Sequence, residues 1–428
     1  MGLGLGAGLA AGCSPTEVAT GRNDAKAARG HFEHGVASGD PYKDSVVLWT
    51  RVSPDVDGDI SVIWEMAEGK DFAALAATGT FITHAARDYT VKIVAPDLEA
   101  GTWYYYRFRT DDKTSPVGRT RTLPSGDVDR LRLAVVSCAN WQHGYFNTYD
   151  AVAKIAATDP YDALIHLGDY YYEYAALPET ILPDRIHIPT HEIVTLTDYR
   201  QRHAQYRSDA ALQSATSAMP LIAVWDDHET SNDSWATGAE NHQAGEGDWD
   251  TRKQAALRAY YEWMPVREPS IGRVREEIYR NFDFGNLLSL TCVETRLNAR
   301  SEPIIIENYI DEIEANGPDD FVNNVLRAPG REMFGADQQD WIIGELTRSK
   351  ADGIAWRLLA NQVIMGRLMA PDFAPYISEE ALVAIEKDWA GARDFMTLSK
   401  YNMPVYPDSW DGYPLAREKF YAALGEAG

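Results

Sequence analysis

Three short stretches constrain this fold more than anything else in the chain: Val136-Ser137-Cys138-Ala139-Asn140, His166-Leu167-Gly168-Asp169-Tyr170-Tyr171-Tyr172 and Val224-Trp225-Asp226-Asp227-His228-Glu229. Each follows an apolar run that reads as a buried strand, and each ends in side chains able to ligate a metal. In open α/β sheets, ligands collect where the carboxyl ends of parallel strands pass into their loops. Thiol, carboxylate, phenol and imidazole groups all arrive at that position here. The surrounding pattern agrees. Beyond Leu131, strands at 131–136, 163–167 and 221–225 alternate with helices at 149–157, 196–207 and 251–263, which predicts a parallel or mixed sheet with βαβ crossovers. A hairpin at 278–282 and 287–293, a helix at 336–349, a strand at 356–360 and a closing helix at 414–424 complete the reading.

The first 124 residues obey a different rule. Residues 45–52, 60–65, 89–94 and 102–108 are short strands separated by Gly, Pro and Asp, which predicts a small all-β sandwich over 31–124, ahead of a catalytic α/β domain over 125–428. Residues 1–30 read as an export segment and linker. Met1 to Cys13 is uncharged and rich in Gly, Ala and Leu, and far shorter than the roughly 20 apolar residues a bilayer span requires. Leu9-Ala10-Ala11-Gly12-Cys13 approximates a bacterial lipobox, so Cys13 is a candidate for lipidation, and the expected location is periplasmic or extracellular. In an exported protein, Cys138 and Cys292 could also pair as a disulfide. The formal charge of -24 would repel a nucleic-acid backbone, and an anionic substrate would need local positive charge from metal ions or a few arginines.

The donors differ in what they would hold. A thiolate at Cys138 needs a cation or positive field to stay ionised at neutral pH. Asp169 lies one strand–helix–strand unit later, after Gly168, whose missing side chain lets backbone approach closely. Tyr172 is three residues further, so a helical turn would direct both to one ion, and only a strongly Lewis-acidic centre such as Fe3+ would hold a phenolate. The loop from Trp225 to Asp233 is dense in hard oxygen donors, which favours Ca2+. His228 within it could be a ligand or a proton donor.

On these residues, together with Gly35 to Pro41, Leu48 to Arg51, Trp356, Asn361-Gln362-Val363 and Asp408 to Tyr413, the chain resembles the alkaline phosphatase D (PhoD-like) family of secreted phosphatases and phosphodiesterases, relatives of the calcineurin-like metallophosphoesterases. The resemblance runs from about Phe32 to Tyr421. It implies an α/β fold, a four-layer α/β/β/α metallophosphoesterase-like sandwich with a small N-terminal all-β sandwich domain. It also implies Fe3+ held by Cys138, Asp169 and Tyr172, and Ca2+ served by Asp169, Asp227, Asn232 and one of Asp408 or Asp411. His228 and Arg252 would then steady the transferring phosphoryl group, and Asn140 would lend an amide to the pocket. The implied substrates are small-molecule phosphate esters, with a phospholipase D-like diesterase or a non-catalytic phosphate-binding lipoprotein as alternatives. Glu294-Thr295-Arg296 stands where the family often has Asp-Thr-Arg, a longer acid expected to shift an ion pair or pocket wall.

Overall fold

The computed structural model describes residues 29–177 and 182–427; the proposed export segment and Cys13 lie outside the described residues. The strands used below are β1 (Val36–Gly39), β2 (Val46–Arg51), β3 (Ile60–Ala67), β4 (Ala77–Thr83), β5 (Thr90–Ala95), β6 (Trp103–Arg109), β7 (Gly118–Arg121), β8 (Leu133–Val136), β9 (Ala163–His166), β10 (Leu221–Ala223), β11 (Arg280–Phe284), β12 (Leu288–Cys292) and β13 (Trp356–Ala360). The helices are α1 (Asn147–Thr158), α2 (Leu196–Arg207), α3 (Ala210–Ala218), α4 (Trp249–Trp263), α5 (Ala336–Ala351), α6 (Glu379–Ile385), α7 (Ala392–Lys400) and α8 (Pro414–Ala427).

The three motif strands lie side by side and parallel, in the order β8-β9-β10. The crossovers that parallel neighbours demand are supplied by α1 and by α2 with α3. Helix α2 begins with a capping box, Thr195 accepting from the Asp198 amide while the Asp198 carboxylate accepts from the Thr195 amide. Helix α3 was not foreseen, although AALQSATSA is alanine-rich and buries Leu212, Ala215 and Thr216 at helical spacing; Asp209 starts it by accepting from the amides of Ala211 and Leu212.

The N-terminal region departs from expectation in its boundaries of pairing. Instead of a sandwich standing apart, β1, β2 and β5 continue the catalytic sheet, giving the order β8-β9-β10-β1-β2-β5. The junction is Gly39 beside Leu221, reinforced by the Asp40 amide donating to the Leu221 carbonyl at 3.0 Å. A side chain at Gly39 would meet the Pro265 and Leu221 carbonyls at 2.3 and 2.5 Å, so only glycine permits this approach. The other four strands, β4-β3-β6-β7, form an antiparallel sheet. It packs on the first through Val36, Leu48, Val62, Met66, Val91, Tyr104, Tyr106 and Phe108.

Alternation of side chains places the two faces of the central sheet in different environments. Ala134, Leu164, Leu221 and Ala223 face the helices, meeting Val152, Leu212, Ala256 and Tyr260. Ile165 and Ile222 face the other way, onto Phe282, Leu288, Leu290 and Ala360 of the sheet β11-β12-β13. Val293, Ile342, Trp410 and Phe420 then join α5 and α8 to the far side of that second sheet. Cys292 is fully buried in the layer between the sheets and both described cysteines are free, so the disulfide suggested for Cys138 is not formed. Among the described residues, no helix is long and apolar enough to cross a membrane.

Candidate metal centre and active site

The loops leaving β8, β9 and β10 meet at one end of the sheet. Cys138 and Asp169 both take left-handed backbone conformations, φ 58° and 54°, which side-chain-bearing residues adopt at a cost and which turn each loop sharply off its strand. The Cys138 and Ala139 amides donate to the carbonyls of Gly168 and Asp169 at 3.2 and 2.9 Å. At Gly168, φ 103°, a Cβ would lie 2.3 Å from the Asp226 nitrogen, so the absence of a side chain there lets the second and third loops touch.

Asp169, Asp227 and His228 present ligand atoms all within 4.8 Å of one another, and all three are buried. The Tyr172 hydroxyl donates to Asp169 Oδ2 at 3.0 Å. The segment 169–172 is not a helical turn, contrary to the sequence reading; a bend through Tyr170 and Tyr171 after the left-handed Asp169 brings the two together instead. Cys138, exposed on the cavity wall, lies within interaction range of both, and partial desolvation together with the Asp169 charge pushes its thiol up to about 11. Burial, then the Asp169 and Cys138 charges, also push the Tyr172 phenol far above its ordinary value. Asp169 rises to about 6 through burial and the neighbouring Asp227, and its Oδ1 is buried with no hydrogen-bond partner. Burial, Asp408 and Asp227 bring Asp233 to about 7. Acids pressed together with an orphaned oxygen are the environment that a cation resolves.

His228 lines the cavity with its ring 4.1 Å from that of Tyr172. Burial alone would lower its pKa, but Asp227, Glu173 and Asp169 outweigh burial and bring it to about 10. Its Nδ1 donates to Glu173 Oε2 at 2.7 Å, and Nε2 has no hydrogen-bond partner among the described residues. Asn232 also lines the cavity: its Oδ1 accepts from Tyr174 at 2.9 Å and its amide donates to Glu173 at 2.7 Å. Asn140 sits on the opposite wall and caps the turn at 141–143 by accepting from the Gln142 amide. The cavity has a volume of about 670 Å³, closed on further sides by Tyr145, Phe146 and Tyr406.

Two nominated residues stand elsewhere. Arg252 does not reach the cavity: its guanidinium is wholly buried and spent on Glu192, Glu246, the Asn241 and Ile193 carbonyls and the Tyr199 hydroxyl. Asp411 accepts from Arg417 at 2.6 Å and from the Leu368 amide at 2.7 Å, one bond on each oxygen, and is not among the residues lining the cavity. Asp408 is closer to the centre but is gripped by Arg296 through two bonds of 2.8 Å and by Arg300. Arg296 also donates to Asp226 at 2.6 Å.

Sequence reasoning passed over several of these groups. Nothing in its motif marks Glu229, yet it accepts from the amides of Asp169, Tyr170 and Asp226 at 3.1, 2.5 and 2.8 Å, tying the second and third loops together. Glu173 was hidden in an aromatic run. Glu294 does not form a pocket wall: it accepts from Trp225 Nε1 and the amides of Arg296, Leu297 and Asn298, shaping the turn that presents Arg296. An acid followed two residues later by an arginine was the available clue.

A family model described as PhoD-like phosphatase matches residues 133–428, and one for the PhoD-like phosphatase N-terminal domain matches 16–124. The chain belongs to the PhoD-like phosphatase family. This PhoD-like chain is 35% identical over 432 residues to a protein named alkaline phosphatase D of Bacillus subtilis (strain 168), with 98% of the chain aligned. It spans 65% of the length of that relative. A solved structure described as "Structure of PhoD" superposes with a TM-score of 0.73 at 32% identity, covering 93% of the PhoD-like chain and 70% of that structure.

Proposed function

We propose that this chain is an exported, metal-dependent phosphoric ester hydrolase acting on phosphomonoesters, phosphodiesters or both, on a four-layer α/β/β/α framework. The observation that carries the reading is the convergence of Asp169, Asp227 and His228 within 4.8 Å, with an orphaned Asp169 oxygen and the Tyr172 hydroxyl directed at the same carboxylate. Family membership and the 35% identity to alkaline phosphatase D support it. Cys138, Asp169 and Tyr172 suit Fe3+, and Asp169, Asp227 and Asn232, with Asp408 behind them, suit Ca2+. Bound there, such ions would supply positive charge to a phosphoryl group and make a water more acidic.

The chain's own residues divide the remaining work. Held through Nδ1 by Glu173, the His228 ring presents Nε2 to the cavity, where it donates to a phosphoryl or leaving-group oxygen. Asn140 and Asn232 offer amide groups on two walls that orient the ester. The described cavity wall includes no lysine or arginine, so charge neutralisation of the phosphate falls to the ions and His228.

Elemental analysis of the purified protein, beside a panel of a monoester, a diester and a phospholipid, tests the reading. Iron and calcium should co-purify, and a visible absorption band from tyrosinate bound to Fe3+ should vanish in Tyr172→Phe. A colourless, iron-free, fully active protein overturns the iron assignment. Phosphate binding with no ester cleaved after reconstitution overturns the enzymatic reading.

A further inference from the structure

The catalytic cavity is larger than the chemistry at its metal-ligating end requires. Cys138, Tyr172, His228 and Asn232 gather where one phosphoryl group would sit, whereas about 670 Å³ is the size of a pocket that encloses a whole small molecule. The remaining space is left for the alcohol of the ester, and its lining says which kind of alcohol fits. Most of the rings there are already occupied by neighbours. Phe146 is buried, edge-on to Trp141 and Tyr149 at 5.8 and 5.5 Å. Tyr172 and Tyr174 lie 6.3 Å apart and both pack on the His228 ring.

Tyr145 and Tyr406 differ. Both line the cavity, yet they are 52% and 55% exposed. Tyr145, on the loop after β8, is nonetheless fixed: its hydroxyl donates to both oxygens of Asp184 at 3.0 Å, and the Arg185 guanidinium lies 5.4 Å from its ring centre. Tyr406, on the segment before α8, is fixed through its backbone, its carbonyl accepting from the Ser409 amide at 3.0 Å and from the Ser409 hydroxyl at 2.7 Å. Two tyrosines from separate segments, anchored and left open on one cavity, offer π faces to whatever enters it. The polar lining points the same way. Asn140 and Thr148 can hydrogen-bond a neutral group, and no lysine or arginine lies among the described wall residues of a chain whose formal charge is -24. An alcohol carrying negative charge of its own would find no fixed counter-charge there.

We propose that Tyr145 and Tyr406 select the alcohol of the ester, and that the preferred substrates are phosphate esters of neutral alcohols carrying a flat ring, of which a nucleoside is the type. This selection rests on the hydrolase reading and adds to it the class of leaving group. Stacking needs a π face and not a particular hydrogen-bond pattern, so purine and pyrimidine nucleosides are served alike. Neither tyrosine is given a part in the bond-breaking step; each acts on the part of the substrate that leaves with the alcohol.

The test uses the metal-loaded protein and esters that share one primary-alcohol leaving oxygen: a nucleoside 5′-phosphate, methyl ribofuranoside 5-phosphate, and the methyl diester of each. Only the base differs between the members of a pair. For the pair that is cleaved, kcat/KM should be at least about tenfold higher for the nucleoside ester, with most of the difference in KM. Tyr145→Ala and Tyr406→Ala should each bring that ratio below about threefold, while Tyr406→Phe, which keeps the ring, should hold it above about threefold. Gluconate 6-phosphate, an anionic alcohol without a flat ring, should be cleaved more slowly than the nucleoside ester. Equal kcat/KM within the pair, an unchanged ratio in either alanine variant, or faster cleavage of the gluconate ester overturns the selection and leaves the hydrolase reading standing. Cleavage of none of these esters overturns the hydrolase reading, and the selection with it.

Discussion

Two groups of buried carboxylates lie almost in contact at the strand ends, and they are opposites in charge balance. Asp226 and Asp408 are held by Arg296, with Arg300 as a second cation on Asp408. Asp169, Asp227 and Asp233 crowd together, relieved by His228, by the rim of the Arg296 guanidinium 3.6 Å from Asp227, and at Asp233 by Arg300. Asp408 is finished as built; Asp226 is held by Arg296 yet still raised to about 8 by burial and the Asp227 and Asp169 charges, and the second group is the one left with an unpartnered Asp169 oxygen. Residue type does not separate a structural acid from a ligand. The neighbouring cations do.

Arg296→Ala attacks the first group and should have the largest effect. It leaves Asp226 and Asp408 buried with lost partners, so stability measured by urea unfolding should fall by about 3–5 kcal/mol. A loss below about 1 kcal/mol would erase the contrast. Asp169→Asn attacks the second group. Activity should drop at least about a hundredfold and iron content should collapse, while the metal-free protein keeps or gains thermal stability because repulsion with Asp227 is relieved. A metal-free Asp169→Asn protein that melts well below the parent would show that the carboxylate is structural after all.

Asp411→Asn sharpens the boundary between the groups. With Arg417 left short of its partner, about 1–3 kcal/mol of stability should be lost, with kcat and metal content unchanged. The smallest effect is a slope. Asp169 rises from 3.8 to about 6 on folding and His228 from 6.5 to about 10, so each of these two groups keeps its proton to higher pH in the folded state. Stability of the chelator-treated protein should therefore fall with rising pH from about 6.5 to 10, through His228; between about 4 and 6 the Asp169 contribution is opposed by the buried His34, His166, His187 and His203, which burial lowers to about 3. Each group contributes no more than about 1.4 kcal/mol per pH unit. Calorimetry across that range, repeated with metal restored, should show the slope flatten.

What could be read beforehand followed from periodicity and from residue chemistry. The motif strands and α2, α4, α5 and α8 stand where their patterns put them, because one-sided burial leaves a trace in the sequence. The gathering of Asp169, Asp227 and His228 was legible because each follows a strand. Arg252 misled because a helix-borne arginine looks the same whether it faces substrate or, as here, Glu192 and Glu246. Arg296 and Glu173 were missed for the complementary reason: their significance is a partner from a distant loop, at which the acid two residues before Arg296 only hints and which no local pattern encodes for Glu173. The course of the N-terminal strands was misjudged because alternation reveals that a strand has a buried face but not which sheet it joins.

The single seam at Gly39 and Leu221 carries a mechanical meaning. Three of the six strands in the central sheet come from the part of the chain matched by the N-terminal family model, and three from the part matched by the phosphatase model. Cutting the gene between those two matches would unzip a continuous ribbon of strands along β10, within a few residues of Asp227. The two parts are matched by different family models yet share one sheet, joined at the Gly39–Leu221 pair and the Asp40 amide on the Leu221 carbonyl.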